Sequence, residues 1–243
     1  MKNRIWLYPL ITVFILIFSC NKEKDVFIVY MNINPWIEYG SMTDKDGNTY
    51  KTILIGTQTW MAENLKTTKY NDGTAIPLVT NDTAWINLST PACCWQNNDP
   101  ARKVTYGVLY NWYTVNTGKL CPIGWHVPSK AEWTILINYL GGEDASTGKL
   151  KETWFHHWPR PNKGATNETG FTALPGGDRN FQDGLYVSLG EVACWWSSTP
   201  DGKTFDGKTQ AWYMWSSIYD NITSMSTYVQ GNGYSVRCLK DSK

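Results

Sequence analysis

Hydrophobic positions follow several different rhythms along this chain. From Ile5 to Phe18 they form an almost unbroken run of fourteen residues, preceded by Lys2 and Arg4 and closed by Ser19-Cys20. That length is short for a membrane span and suits the apolar segment of an export signal. Val26–Met31 is β-prone and is expected to pair with the following domain. From Thr43 the pattern alternates, and two β-prone arms flank Asp46-Gly47 in "TDKDGNTYKTILIG", which predicts a hairpin. "YGVLYNWYTV" (Tyr106–Val115) is strongly aromatic and fits either a short helix or a strand. Trp133, Leu136, Ile137 and Leu140 then fall at i, i+3, i+4, i+7, one face of a helix. Ser129 and Glu132 supply a capping box at its start, and Gly141-Gly142 supply its stop. This is predicted to be the longest helix of the mature protein, with one more short helix in "STGKLKETW". After Gly170 turn residues dominate: "ALPGGDRN", "FQDG" and "PDGKTFDGKT" read as loops, with strands between them at "CWWSST", "AWYMWSS" and "YSVRCLK". The fold class is α+β, one or two helices followed by a run of short strands.

Composition narrows the function classes. The 243 residues suit one large domain or two small ones. A net charge of +1 gives no basic stripe for phosphates, so no nucleic-acid partner is expected. The run "IFSC" resembles a bacterial lipobox, in which Cys20 becomes lipidated and then the new N-terminus. This divides the chain into an export signal over 1–19, a lipidated Cys20 with a tether over 20–42, and a domain over 43–243. The expected partner is a membrane, reached through the lipid anchor. The expected location is the outer membrane, at the cell surface, because "NKEKD" after Cys20 resembles the short charged signals of surface lipoproteins. Loss of Lys2 and Arg4 leaves 20 basic against 21 acidic residues. Export also means disulfide-permissive surroundings. Five cysteines remain beyond Cys20, namely Cys93, Cys94, Cys121, Cys194 and Cys238, and an odd count leaves at least one unpaired within the chain.

Six blocks appear in order: "DKDGNTYKTILIGTQTWMAENL", "YGVLYNWYTV", "LCPIGWHVPSKAEW", "GFTALPGGDRN", "WWSST" and "GYSVRCLKD". Together they resemble the Fibrobacter succinogenes major paralogous domain family, common among bacterial surface lipoproteins, over Thr43 to Asp241. The resemblance implies a C-type-lectin-like fold, similar to its formylglycine-generating-enzyme branch: a twisted, mostly antiparallel sheet, a helix or two, and long irregular loops. It also implies a disulfide between the first helix region and the last strand, Cys121 to Cys238, with Cys93 or Cys94 pairing with Cys194. It implies no established activity.

The chemistry-bearing residues favour a binder over an enzyme. "DKDGN" alternates Asp44, Asp46 and Asn48 like the start of a calcium loop, but the twelfth position is Ile55 and the surroundings are β-prone, so a turn is expected. Cys93-Cys94 are adjacent and would point to opposite faces of a strand, which suits a copper pair poorly. His126 stands alone and reads as a structural histidine; His156-His157 lack metal-ligand spacing. No catalytic residue, metal or cofactor is therefore expected. Trp faces can stack on sugar rings, and Trp85, Trp154, Trp158, Trp212 and Trp215 lie near loops or turn residues, which makes them the ligand-binding candidates. The calcium motifs of lectins are absent. The expected function is binding of an extracellular ligand, a glycan, for adhesion or capture. The alternative is a structural or protein-partner lipoprotein of a surface complex.

Overall fold

The computed structural model describes Asn34, residues 36–219 and residues 222–242. The export signal, Cys20 and Val26–Met31 lie outside the described residues.

The Asp46-Gly47 hairpin forms as the alternation requires. Strands β1 (Gly40–Thr43) and β2 (Thr49–Ile55) pair antiparallel, and β2 continues into β3 (Gln58–Met61). Helix α1 (Asp82–Ile86), β4 (Cys93–Cys94), α2 (Pro100–Tyr106), β5 (Leu109–Tyr110), α3 (Trp112–Val115) and β6 (Trp125–His126) follow. Helices α4 (Lys130–Tyr139) and α5 (Glu143–Leu150) precede β7 (Asp178–Arg179) and β8 (Tyr186–Val187). The chain then makes β9 (Val192–Phe205), β10 (Lys208–Ser217), β11 (Thr223–Val229) and β12 (Leu239–Lys240). The aromatic stretch Tyr106–Val115 thus holds both of the expected forms, a strand and a short helix.

A five-stranded sheet runs β1-β2-β3-β12-β6, and a three-stranded sheet runs β11-β10-β9. Every pair of named strands is antiparallel. The architecture is mixed α and β with few helices, and α4 is the longest among the described residues. Its start is the predicted capping box: Ser129 Oγ accepts from Glu132 N, and Glu132 Oε2 accepts from Ser129 N at 2.8 Å. Its end is a Schellman turn, with Gly142 N donating to Ile137 O and Gly141 N to Asn138 O. Gly141, the residue after the cap, has the positive φ that turn demands.

Two expectations about the second half of the chain change. "PDGKTF" is not a loop but the outer half of β9. Asp206-Gly207, both at positive φ, turn β9 back into β10 as a two-residue hairpin. Register shifts near Thr209 and Ala211 absorb Pro200 and Gly202, which made the segment look loop-like. Conversely, only Leu239–Lys240 of "YSVRCLK" is a strand, because the preceding residues make single bridges to several partners.

The three-stranded sheet separates two apolar cores. Ala193, Trp195 and Met214 face α4 and Trp60, Trp133 and Phe171. Cys194, Trp196 and Ala211 face Tyr110, Trp112 and the Cys121–Cys238 disulfide. Because β9 is buried on both faces here, its sequence reads "ACWW" without alternation. On the helix side Trp133 sits 4.5 Å from Trp60 and 6.3 Å from Trp195, centroid to centroid. Arg237 is buried in this core. Its guanidinium donates to Asn64 Oδ1, Phe171 O and Thr172 O, and lies 4.0 Å over the Phe171 ring. Asn64 also accepts from Trp195 Nε1 at 2.8 Å. The Asn of "AENL" and the Arg of "SVRC" are therefore one polar clasp inside the apolar core, satisfied by carbonyls.

Candidate functional site

The stretch richest in reactive side chains forms a closed network. His126 Nδ1 lies 2.6 Å from Asp241 Oδ1, and its Nε2 lies 2.9 Å from Glu132 Oε1. Glu132 Oε2 takes both the N–H and the hydroxyl of Ser129 at 2.8 Å. Burial opposes charge on His126, but the two carboxylates outweigh it and raise its pKa above 6.5. Burial likewise opposes charge on Glu132, and the Ser129 donors with His126 hold it below its ordinary value. Every nitrogen and carboxylate oxygen of His126 and Glu132 is committed, so the network clamps α4 to β6 and the residue after β12.

The Asp44 turn is equally committed. Asp44 Oδ1 accepts from Asp46 N and Asn48 N, and its Oδ2 accepts from Asn48 Nδ2 and Tyr50 OH. Asp46 Oδ2 binds the backbone and hydroxyl of Thr68. These carboxylates build a turn, as their setting predicted. Among the described residues no group of three or more His, Cys, Asp or Glu is arranged to hold a metal.

The cysteines divide cleanly. Cys121 and Cys238 form the disulfide. Cys93, Cys94 and Cys194 are buried free thiols, so the expected pairing of Cys194 with Cys93 or Cys94 does not occur. Burial pushes the Cys93 thiol up to about 12 and Cys94 up to about 11, which leaves them protonated and unreactive. Cys94 packs in a different cluster from Cys194, whereas Cys93 shares the cluster of Cys194 without bonding to it.

The candidate tryptophans also divide. Trp85 and Trp158 are 1% and 0% exposed and present no ring face to a ligand. Trp85 packs against the Arg179 guanidinium at 4.5 Å, and Trp158 donates its indole N–H to Ala173 O. Loop-flanking sequence was misleading for both, because irregular segments here fold over them. Trp212 is half-buried under the Lys130 ammonium, 3.3 Å from its ring centroid. Trp215 is half-buried against the disulfide-side core. Trp154 is 70% exposed.

One partly open face combines aromatic rings with an uncommitted carboxylate. On β10 the alternation places Ala211, Tyr213 and Trp215 on one side. Tyr213 stacks on Tyr234 at 4.8 Å, Tyr228 of β11 lies 6.4 Å from both, and Phe181 meets Tyr228 edge-on at 5.7 Å. Tyr213 and Tyr228 are half-buried. Within electrostatic reach of these rings is Asp178 of β7. Burial pushes its carboxyl up to about 6, opposed by the amide of Asn232, which donates to Oδ2 at 2.9 Å. Asp178 Oδ1 accepts no hydrogen bond among the described residues. Asn232 is itself fixed by accepting from Phe181 N at 3.0 Å. The next residue, Arg179, is fully buried between Trp85 and Tyr186. It donates to Gly184 O, Val79 O, Thr80 O and Asp82, locking the segment that carries Asp178. In the sequence Asp178 falls within the loop-like "ALPGGDRN", and only the tryptophans present themselves as ligand contacts. The available signal was the alternation Ala211-Tyr213-Trp215, which puts two aromatics on one face.

Among the described residues no helix is long and apolar enough to cross a membrane. The family model described as the Fibrobacter succinogenes major domain matches residues 53–240. No curated protein and no solved structure matches the chain.

Proposed function

Since the chain belongs to the Fibrobacter succinogenes major domain family, we propose that it is a surface lipoprotein whose domain captures an extracellular glycan without catalysis. The ligand lies on the Tyr213–Tyr228 face. The observation that carries this reading is the pairing of two half-open tyrosine rings with a preorganised Asp178 whose Oδ1 is unclaimed. A sugar ring offers an apolar C–H face to stack on aromatic rings, and hydroxyls to donate to a carboxylate. Neither contact requires calcium. The fold is read as C-type-lectin-like. Supporting that reading, the β1-β2-β3 meander pairs through β3 with the terminal β12, and a disulfide ties the segment before α4 to the end of the chain. Attachment is through lipid on Cys20, which rests on the basic start, the short apolar run and the "IFSC" sequence.

The test is a glycan array probed with the mature chain, in calcium and in chelator. The expected result is selective binding in both buffers, reduced at least tenfold by Tyr228→Ala and by Asp178→Asn. Binding that survives both substitutions places the ligand elsewhere. Absence of binding in either buffer favours a protein-partner lipoprotein.

A further inference from the structure

Between α5 and β7 the chain makes an excursion, residues 152–172, whose first half carries aromatic rings and cations outward. Trp154 is 70% and Phe155 45% exposed, and Trp154 is held at positive φ, a conformation that disfavours an aromatic residue. The loop is nevertheless firmly tied. Asn162, buried, donates its amide to Glu152 O at 2.9 Å and to Trp154 O at 2.7 Å. Trp158 is buried beneath it, with the Lys151 ammonium 4.6 Å from its ring centroid. A strained backbone fixed by neighbours, with its rings left outside, points to a role for those rings beyond packing. Exposed Arg160 lies 4.5 Å over the Phe155 ring, and exposed Lys163 follows. From residue 153 to 167 there is no Asp or Glu.

The second half of the same excursion holds the segment that leads to Cys20. Asn34 Nδ2 donates to Asn167 O at 3.1 Å, and Tyr39 OH to Gly170 O at 3.4 Å. Only fourteen positions separate Cys20 from Asn34. Even fully extended they reach no more than about 50 Å. The described chain therefore begins, at Asn34, against the same excursion that carries Trp154 and Phe155, within a tether's reach of Cys20.

We infer that this loop is a lipid-contact surface: Trp154 and Phe155 enter the headgroup–acyl boundary of the anchoring bilayer, while Arg160 and Lys163 meet anionic headgroups. This rests on the lipoprotein reading above. Trp and Phe favour that boundary, and fixed cations beside them add attraction to anionic lipid. The contact orients the domain on its membrane and takes Trp154 out of the glycan-binding set.

The mature chain is placed in vesicles of phosphatidylcholine and phosphatidylglycerol with brominated acyl chains, and quenching of Trp fluorescence is read against unbrominated vesicles. Intact mass of the mature N-terminus reads lipid on Cys20 in the same sample. The expected result is lipid on Cys20 with quenching that falls by half or more in Trp154→Ala, and also in the Arg160→Glu/Lys163→Glu double variant. Trp154 is exposed, so an unchanged urea midpoint confirms that the variants fold. Lipid on Cys20 with no quenching, or with equal quenching in Trp154→Ala, overturns the loop contact and leaves the anchor standing. An unlipidated Cys20 overturns both. Loss of glycan binding in Trp154→Ala assigns the loop to sugar and overturns the lipid contact.

Discussion

His126 and Asp178 are both ionisable and both partly covered, and their surroundings treat them in opposite ways. His126 lies between two carboxylates, each of its ring nitrogens has a partner, and its charged form is favoured. Asp178 lies among tyrosine rings with one amide donor, and its charged form is disfavoured. The first is a clamp whose bonding capacity is spent within the fold. The second retains capacity for something outside it. A residue that looks chemically equipped is therefore a poor guide here, and a polar group left incompletely satisfied is a better one.

The largest expected effect tests whether the His126 side is scaffold. The disulfide joins the chain just before β6 to the chain just before β12, and closes a loop of 117 positions. Reducing it, or making Cys121→Ser with Cys238→Ser, is expected to cost about 4–5 kcal/mol in the chain-entropy model, less any strain. A urea melt with and without reductant measures this, and coincident curves would refute a structural role for that side.

Asp178→Asn tests the other side with the opposite sign. The folded pKa of Asp178, about 6, lies above its unfolded value near 3.9. The favourable contribution of this group is complete below pH ~4 and is lost as pH rises through ~6. At pH 8 the wild type carries a penalty that Asn lacks, so the variant should be more stable by up to about 3 kcal/mol, and equal at pH 3.5. Urea midpoints at the two pH values decide it. A variant that is less stable at pH 8 would make Asp178 a structural carboxylate like those around His126.

Ser129→Ala removes one arm of the capping box and should cost about 1 kcal/mol. An unmoved urea midpoint would show that Glu132 holds the helix start without it. The smallest effect is that of His126 itself. Its folded pKa lies above the unfolded value of about 6.5, so its contribution is complete below that pH and fades as pH rises through the folded value. The side chain is 38% exposed, so solvent screening limits this to a few tenths of a kcal/mol. His126→Gln should flatten the stability profile above pH ~6.5. An unaltered profile would assign that pH dependence to another group.

Local signals in the chain carried a good part of this fold. Ser129-x-x-Glu132, the spacing Trp133-Leu136-Ile137-Leu140 and Gly141-Gly142 each name a start, a face and a stop. Asp46-Gly47 names its hairpin in the same way. "PDGKTFDGKT" failed because two turn-forming pairs lie close together and only Asp206-Gly207 turns the chain; the other sits in a strand made irregular by its register shifts. Trp85 and Trp158 failed for a different reason. Nearness in sequence to loop residues is not exposure, which depends on what folds back over a side chain.

By itself, the sequence determined the α+β class, the capped helix, the first hairpin and, through its resemblance to a family, the Cys121–Cys238 pairing. The first three follow from interactions between residues a few positions apart, which any reader of the chain can count. Only the tertiary structure decided that Cys93, Cys94 and Cys194 stay free and that Arg237 and Asn64 clasp inside a core. It alone gathered Asp178 of β7, Tyr213 of β10 and Tyr228 of β11 onto one face. Those outcomes depend on which distant segments pack together, and burial and partner satisfaction do not exist until they have.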